Sequence, residues 1–295
     1  MESGLHSHPE VPDGITPRER PPEPTPDGSL APVPMWAPLA ALVSAFVVAT
    51  IAYLLIAAGV EAGGVNVTAG GPPGVVISAT LVQDVALIVA AVLFASVWAH
   101  GLTPATFGLR PVKLGPAFGW TLLTWGAFFL LTAIYIKAVG QPDEQELTRD
   151  LADEESLPAL VGYSILLAYV APLTEEFFFR GFVFGVLREK IGVAGGAIAT
   201  GVVFGLVHVA GSPIETVGVL VILGVLLCLL YVRTGSLLPC IALHALNNAL
   251  SFSVTKDIPV GGAILLVVGS AAAAVATAAL VMQRVPALPG APRTP

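Results

Sequence analysis

Three groups of ionisable and amide-bearing residues lie inside long apolar segments of this 295-residue sequence, where such residues are costly to place. The first group is Glu175, Glu176 and Arg180, the second is His208 with Phe204 four residues before it, and the third is His244 and Asn248. A glutamate or a histidine can act as a general base on a water molecule, and imidazole and amide groups can donate hydrogen bonds to a developing oxyanion. These residue types therefore indicate hydrolysis of an amide bond.

The spacing within the first group predicts different tasks for its two glutamates. Residues four apart share one face of a helix, so we expect Glu176 and Arg180 to form an ion pair. Glu175 points about 100° away from Glu176 and has no partner in its own helix. It must therefore meet a group from another segment or be protonated.

The other two groups also occupy single helical faces. His208 shares its face with Gly201 and Gly205, and glycines on such a face allow another helix to approach closely. In the later segment, a polar stripe at positions i, i+3, i+4 and i+7 consists of His244, Asn247, Asn248 and Ser251. Polar groups of this kind also join helices without any chemistry, and this structural role is the alternative for each group taken singly.

The composition identifies the environment of these residues. Hydrophobic residues make up 55% of the chain and charged residues 11%, which predicts an all-α, polytopic membrane protein rather than a soluble domain. Eight segments are long and apolar enough to cross a bilayer as helices. They are Trp36–Val60, Val75–Ala99, Pro116–Ile136, Leu157–Phe179, Ile191–Ala210, Thr216–Val232, Leu237–Val254 and Val260–Met282.

These helices are expected to form one transmembrane domain over residues 36–283, between two tails. Nine prolines with scattered charges predict a disordered tail over residues 1–35, which lacks the apolar stretch of a secretory signal peptide. Residues 284–295 form a second, short tail. Ten Lys and Arg residues fall at one end of the predicted helices and three at the other, so we expect both tails to be cytoplasmic. The excess of Arg over Lys and the many Ala, Gly and Pro residues indicate a bacterial plasma membrane.

Charge and cysteine content narrow the classes of function. The net charge of -7 comes without a basic patch, which excludes nucleic acid as a partner. Cys228 and Cys240 lie in apolar helices and are expected to be buried and unpaired. The chain has no His-Glu-x-x-His pair, although two histidines and two glutamates could in principle hold zinc. Asp84 is a lone acid in the second helix and is expected to pair with a neighbouring helix or to join the site.

The motifs Glu-Glu-x-x-x-Arg, Phe-x-x-x-His and His-x-x-x-Asn follow one another on successive apolar segments. This order resembles the CPBP (CAAX protease and bacteriocin-processing, or Abi) family of intramembrane glutamic endopeptidases, which includes the type II CAAX prenyl endopeptidases. The resemblance covers residues 157–253, about a third of the chain. Pro172 before the glutamate pair and Gly181 after the arginine also fit the family pattern.

The resemblance implies an all-helical membrane peptidase that needs neither a metal nor a cofactor. Glu175 and His208 would activate a water molecule for attack on a peptide carbonyl, and His244 and Asn248 would stabilise the oxyanion. The residues that would order the site are Glu176, Arg180 and Phe204. The partner would be a membrane-embedded or lipid-associated peptide in the bilayer.

Two other classes of function also fit these residues. A non-catalytic membrane scaffold, or an immunity or partner-binding protein, could keep the same polar network. A proton-coupled transporter could use intramembrane Glu and His side chains as relays, but clustering of the motifs in the second half of the chain argues against inverted repeats. A prenylated substrate is not implied in a bacterial protein. Maturation of a peptide pheromone or bacteriocin, self-protection against bacteriocins and regulated proteolysis all remain open.

Overall fold

The long helices of this protein form a bundle without strands in the residues that the computed structural model describes, which are 28–67, 71–140 and 151–284. These helices are Ala37–Ala62 (α1), Pro73–Trp98 (α2), Leu114–Val139 (α3), Leu157–Leu206 (α4), Ile214–Thr234 (α5), Leu238–Thr255 (α6) and Val260–Arg284 (α7). The predicted all-α, polytopic membrane fold is confirmed.

Six of these helices, α1 to α5 and α7, are long and apolar enough to cross a membrane. Large apolar side chains on their outer faces are exposed, for example Leu55 at 69% and Leu265 at 76%, as expected where lipid is the solvent. Helix α6 is less apolar because it carries the polar stripe that includes His244 and Asn248. The predicted number of eight membrane crossings is not confirmed.

Helix α4 contains two of the predicted segments, the fourth and the fifth, in one helical run. Gly192 interrupts it with φ +75° and ψ 173°, a backbone conformation that glycine adopts because it lacks a Cβ atom. A Cβ atom at Gly196 would lie 2.9 Å from the backbone nitrogen of Arg188, so the chain folds back sharply at this point. We refer to residues 157–191 as α4a and to residues 193–206 as α4b.

The first limb, α4a, alternates between α-helical and π-helical turns. Its successive stretches are Leu157–Ile165 (α), Leu166–Val170 (π), Ala171–Glu175 (α) and Glu176–Val183 (π), followed by α-helix from Phe184. A π-helical turn contains an extra residue and shifts the side chains that follow it, and such turns occur frequently at functional sites. Glu175 and Glu176 lie at the junction of an α and a π stretch.

Glycines bring α4b and α5 into close contact. A Cβ atom at Gly201 would lie 2.9 Å from the backbone nitrogen of Val225, and one at Gly205 would lie 2.8 Å from the carbonyl oxygen of Val217. Only a hydrogen atom fits at these positions, as in other close helix contacts. The expectation that Gly201 and Gly205 permit a close helix approach is confirmed.

Part of the predicted N-terminal tail belongs to the folded bundle. Leu30 and Val33 are 6% and 0% exposed in the hydrophobic core, and the Lys190 ammonium donates to the Ala31 carbonyl at 2.7 Å. The expectation of disorder is therefore wrong for residues 28–35, because two apolar side chains among the prolines find a buried place beside α1 and α4a. Residues 1–27 and 285–295 lie outside the described residues, so the rest of both predicted tails stays a prediction.

Candidate active site

The predicted ion pair between Glu176 and Arg180 is present and fully buried. The Arg180 guanidinium donates to Glu176 Oε1 at 2.8 Å, and both side chains are 0% exposed. The same guanidinium also donates to the Gly224 carbonyl of α5 at 3.3 Å. A buried charge is tolerated only when it is paired in this way, so the pair ties α4a to α5.

His244 connects this ion pair to the second glutamate. Its Nδ1 atom lies 2.8 Å from Glu176 Oε1, and its Nε2 atom lies 3.9 Å from Glu175 Oε2. The bond to the carboxylate of Glu176 requires Nδ1 to carry a proton, because a carboxylate paired with an arginine accepts. Glu175, whose side chain is 17% exposed, thus meets a group from another segment, as the sequence predicts.

Asn248 is held by a backbone carbonyl in the first π-helical stretch. Its Nδ2 atom donates to the Leu167 carbonyl at 3.0 Å. In this stretch the Ala171 N–H bonds to the Leu166 carbonyl, five residues back, so the next bond in register would run from residue 172 to Leu167. Pro172 has no N–H and leaves that carbonyl free. Asn248 therefore supplies the missing donor and keeps one N–H and its oxygen for other partners.

His208 follows the end of α4b in a turn rather than in the helix itself. Its Nδ1 atom lies 2.8 Å from the Phe204 carbonyl oxygen. Because a carbonyl can only accept, Nδ1 carries the proton, and Nε2 of the neutral ring is an acceptor. His208 thus offers an unprotonated nitrogen, which is the form that a general base requires.

Phe204 lies at the centre of the site and contacts each of its cationic or imidazole groups. The Arg180 guanidinium carbon lies 4.5 Å from the centre of the Phe204 ring, and the ring centres of His208 and His244 lie 5.1 and 5.9 Å away. Its side chain is 1% exposed. A rigid aromatic side chain at this position fixes the two imidazoles relative to the arginine.

A cavity of about 290 Å³ brings the predicted catalytic residues together. The predicted site residues that line it are Glu175, Phe204, His208, His244 and Asn248. Glu176 and Arg180 are not among the lining residues and lie behind the wall, in contact with His244. The roles that the family resemblance implies for these residues stay predictions, but the spatial requirement for them is met.

The cavity also has lining residues that the sequence did not single out. They are Thr80, Gln83, Leu151, Leu166, Leu167, Ala171, Leu220, Leu223, Phe252 and Thr255. Asn247 and Ser251, which belong to the predicted polar stripe, line the cavity as well. Most are apolar, and no pattern in the sequence distinguishes an apolar residue facing a cavity from one facing lipid. The polar stripe could have been extended by one turn to Thr255, which lies four residues after Ser251.

Asp84 and its neighbour Gln83 separate in the structure. Gln83 lines the cavity, whereas Asp84 is 2% exposed and accepts a hydrogen bond of 2.8 Å from the Thr174 hydroxyl. Thr174 precedes Glu175, so Asp84 ties α2 to the turn that carries the proposed base. Among the described residues, Asp84 Oδ2 has no hydrogen-bond partner.

Cysteines and metal ligands complete the description of the buried polar groups. Cys228 and Cys240 are free and buried, as expected, and the Cys240 thiol donates to the Leu227 carbonyl at 3.4 Å. Within residues 28–67, 71–140 and 151–284, no group of three or more His, Cys, Asp or Glu side chains could hold a metal ion. Metal independence stays a prediction.

Comparison with known proteins finds matches to the segment that carries this site. Residues 157–250 match the model of the family described as type II CAAX prenyl endopeptidase Rce1-like. A protein of Escherichia coli described as an uncharacterized 24.3 kDa protein is 29% identical over 143 residues, which are 48% of this chain. The chain covers 64% of that relative, which is less than two thirds of its length. No solved structure matches the chain.

The matched segment begins at the start of α4 and ends within α6, so it contains every predicted catalytic residue. Helices α1 to α3 and α7 lie outside it. The family resemblance indicated by the motifs is confirmed over this segment, since residues 157–250 match the model of the type II CAAX prenyl endopeptidase Rce1-like family.

Proposed function

We propose that this protein is an intramembrane endopeptidase that hydrolyses a peptide bond in a membrane-associated protein or peptide. The observation that carries the proposal is that Glu175, His208, His244 and Asn248 line one and the same cavity. A carboxylate, two imidazoles and an amide around one space are the groups that an amide hydrolase needs for a base and for oxyanion donors.

In this proposal Glu175 is the general base. Its Oε2 atom lies 3.9 Å from His244 Nε2, which is too long for a hydrogen bond, so Oε2 is free to accept from a water molecule in the cavity. Glu175 takes a proton from this water as the water oxygen bonds to the peptide carbonyl carbon. His208 Nε2 is a second acceptor on the same cavity. When the C–N bond breaks, Glu175 returns the proton to the leaving amine.

Asn248 and His244 are the proposed donors to the oxyanion. Asn248 keeps one amide N–H free of the Leu167 carbonyl, and His244 donates from Nε2 when its ring is protonated. A donor of this kind contributes about 3–4 kcal/mol to transition-state stabilisation in other hydrolases. Glu176 and Arg180 do not touch the substrate in this mechanism, since they hold His244 in place through Nδ1.

Replacement of the proposed base tests this function. We expect Glu175→Gln to abolish cleavage of a model transmembrane peptide in proteoliposomes, because an amide cannot take a proton from water. The matched control is Glu215→Gln in the first turn of α5, which lies outside the cavity and should leave cleavage unchanged. Comparing membrane peptides from cells that carry either variant extends the test to native substrates.

Full cleavage by a folded Glu175→Gln protein would remove Glu175 from the mechanism. Absence of cleavage by the folded wild-type protein as well would instead favour the non-catalytic scaffold, which the interhelical bonds of Asn248 and His244 also support. Treatment of the wild-type protein with a chelator belongs in the same assay. Unchanged cleavage is expected, and a loss that added Zn²⁺ restores would contradict metal-independent hydrolysis.

A further inference from the structure

The cavity that holds Glu175 extends toward only one end of the bundle. On α6 its lining residues run from His244 to Thr255, about 16 Å at the rise of an α-helix. On α4a they run from Glu175 back to Leu166, and Leu151 before that helix lines it as well. Among the described residues, no lining residue lies on α4a beyond Glu175 or on α6 before His244.

The other half of the bundle is filled by buried apolar side chains. Phe178, Phe179 and Phe182 follow Glu176 on α4a, and each is at most 2% exposed. On α6 the residues before His244 that are at most 1% exposed are Cys240, Ile241 and Leu243. These side chains, together with the fully buried Glu176–Arg180 pair, close the floor of the cavity. A polar peptide backbone therefore cannot reach Glu175 from that side without unpacking the core.

The two ends of the bundle are held together by separate sets of contacts. At the closed end, the Leu237 N–H donates to the Gly108 carbonyl at 2.9 Å. At the open end, the Lys256 ammonium donates to the Ala152 and Glu154 carbonyls at 3.0 and 2.8 Å. The loops that lie at the same end are thus held together by these contacts. The charges of one end can therefore be compared with those of the other.

Charge distinguishes the closed end from the open end. Basic residues of the described chain at the closed end are Arg110, Lys113, Arg188, Lys190, Arg233 and Arg284, beside Glu189. Described basic residues at the open end are Lys137 and Lys256, beside Glu61, Asp153, Glu154, Glu155, Glu215 and Asp257. Arg180 does not count for either end because it is paired inside the bundle. Basic residues next to membrane helices stay on the cytoplasmic side.

We propose that the catalytic cavity opens at the non-cytoplasmic face of the membrane, through the space between the start of α4 and the end of α6. Its substrate is then a peptide segment presented from that face, such as a stretch of an exported or membrane-inserted peptide. A lipidated chain end in the cytoplasm meets the closed side. The statement about the substrate rests on the proposed peptidase function, whereas the direction of the opening does not.

Single cysteines in the full-length chain test the opening without any assay of cleavage. The background is low because Cys228 and Cys240 are 0% exposed. Ser251→Cys reports on the cavity, Asp153→Cys marks the open end, and Lys113→Cys marks the closed end. Each variant is treated with a membrane-impermeant maleimide in intact spheroplasts and in inside-out vesicles.

We expect Ser251→Cys and Asp153→Cys to react in spheroplasts and Lys113→Cys to react in inside-out vesicles only. Reaction of Lys113→Cys in spheroplasts would overturn the assigned orientation. Reaction of Ser251→Cys in inside-out vesicles only, or in neither preparation while Asp153→Cys reacts, would overturn the opening. Because labelling does not depend on hydrolysis, a failure here is distinct from a failure of Glu175→Gln to abolish cleavage.

Discussion

At the scale of single residues, the site depends on a chain of contacts from Arg180 through Glu176 to His244. The two contacts to the carboxylate are 2.8 Å each, and the three side chains are at most 4% exposed. A buried carboxylate needs its cation, since removal of one partner leaves an uncompensated charge in an apolar setting. Arg180 thus acts on the site through Glu176 and His244 and is a positioning residue.

Removal of this cation should destabilise the protein strongly. We expect Arg180→Met to lower the free energy of unfolding by about 3–5 kcal/mol, because Glu176 is left buried without its partner. The measurement is thermal or denaturant unfolding in detergent micelles. Arg284→Met at the exposed end of α7 is the matched control and should change stability by less than about 0.5 kcal/mol. Equal effects of the two substitutions would show that the buried pair is not needed for stability.

At the scale of secondary-structure elements, α4a positions the site through its departures from α-helical geometry. The π-helical stretch Leu166–Val170 and the missing N–H of Pro172 together leave the Leu167 carbonyl free for Asn248. The amide of Asn248 is therefore oriented by the backbone of α4a rather than by its own helix, α6. Pro172 is in this sense part of the site although it does not line the cavity.

Restoring the missing N–H should disturb Asn248. In Pro172→Ala the new N–H can bond to the Leu167 carbonyl and compete with the Asn248 amide, so we expect kcat for peptide cleavage to fall about 10- to 100-fold. The apparent melting temperature should not fall, because a helix-interior proline is replaced by alanine. Pro239→Ala in the first turn of α6 is the control and should keep kcat. An unchanged kcat in Pro172→Ala would show that the freed carbonyl does not position Asn248.

The contact between α4b and α5 is a second feature of this scale. A Cβ atom at Gly201 would lie within 3.0 Å of three atoms of Val225 and Val221, two of them backbone atoms. We expect Gly201→Ala to reduce the free energy of unfolding by about 1–3 kcal/mol through overpacking. Gly126→Ala on α3 is the control, because a Cβ atom at Gly126 would have no heavy atom within 4 Å. This substitution should be neutral or stabilising by up to about 1 kcal/mol. A neutral result for Gly201→Ala would mean that the two helices separate without cost.

At the scale of the whole molecule, the folded bundle begins before its first helix. Residues 28–35 pack against the end that carries the turn at Gly192, where Lys190 donates to the Ala31 carbonyl. A Cβ atom at Gly185 on α4a would lie 2.8 Å from a methyl group of Leu30. This segment therefore helps to close the side of the bundle opposite to the cavity opening.

Truncation of a side chain in this segment tests its place in the core. We expect Leu30→Ala to lower the free energy of unfolding by about 2–5 kcal/mol, since Leu30 is 6% exposed. Leu39→Ala is the matched control, because Leu39 is 59% exposed on α1 and should contribute little. Equal melting temperatures for both variants and the wild type would show that residues 28–35 belong to the tail and not to the folded core.

Much of the fold and of the candidate site could be predicted from the sequence because the signals are local. Apolar segments of sufficient length indicate membrane helices, and the spacing of Glu176 and Arg180 indicates their ion pair. The same applies to the glycine face of α4b and to the family motifs. Each of these features depends on residues that are close in the chain or on a helix period.

The tertiary structure decided which distant groups meet. Three sets of contacts depend on how separate helices pack. They are the contacts of His244 with both glutamates, the bond from Asn248 to the Leu167 carbonyl and the bond between Asp84 and Thr174. The sequence predicted a connection between the fourth and fifth segments, but not its form as a sharp break at Gly192 within one helical run. It also did not predict the burial of Leu30, because a leucine among prolines carries no local signal of its final place. Helix types and motif residues follow from short-range periodicity, whereas partners and the direction of the cavity follow from long-range packing that one sequence does not encode in any fixed spacing.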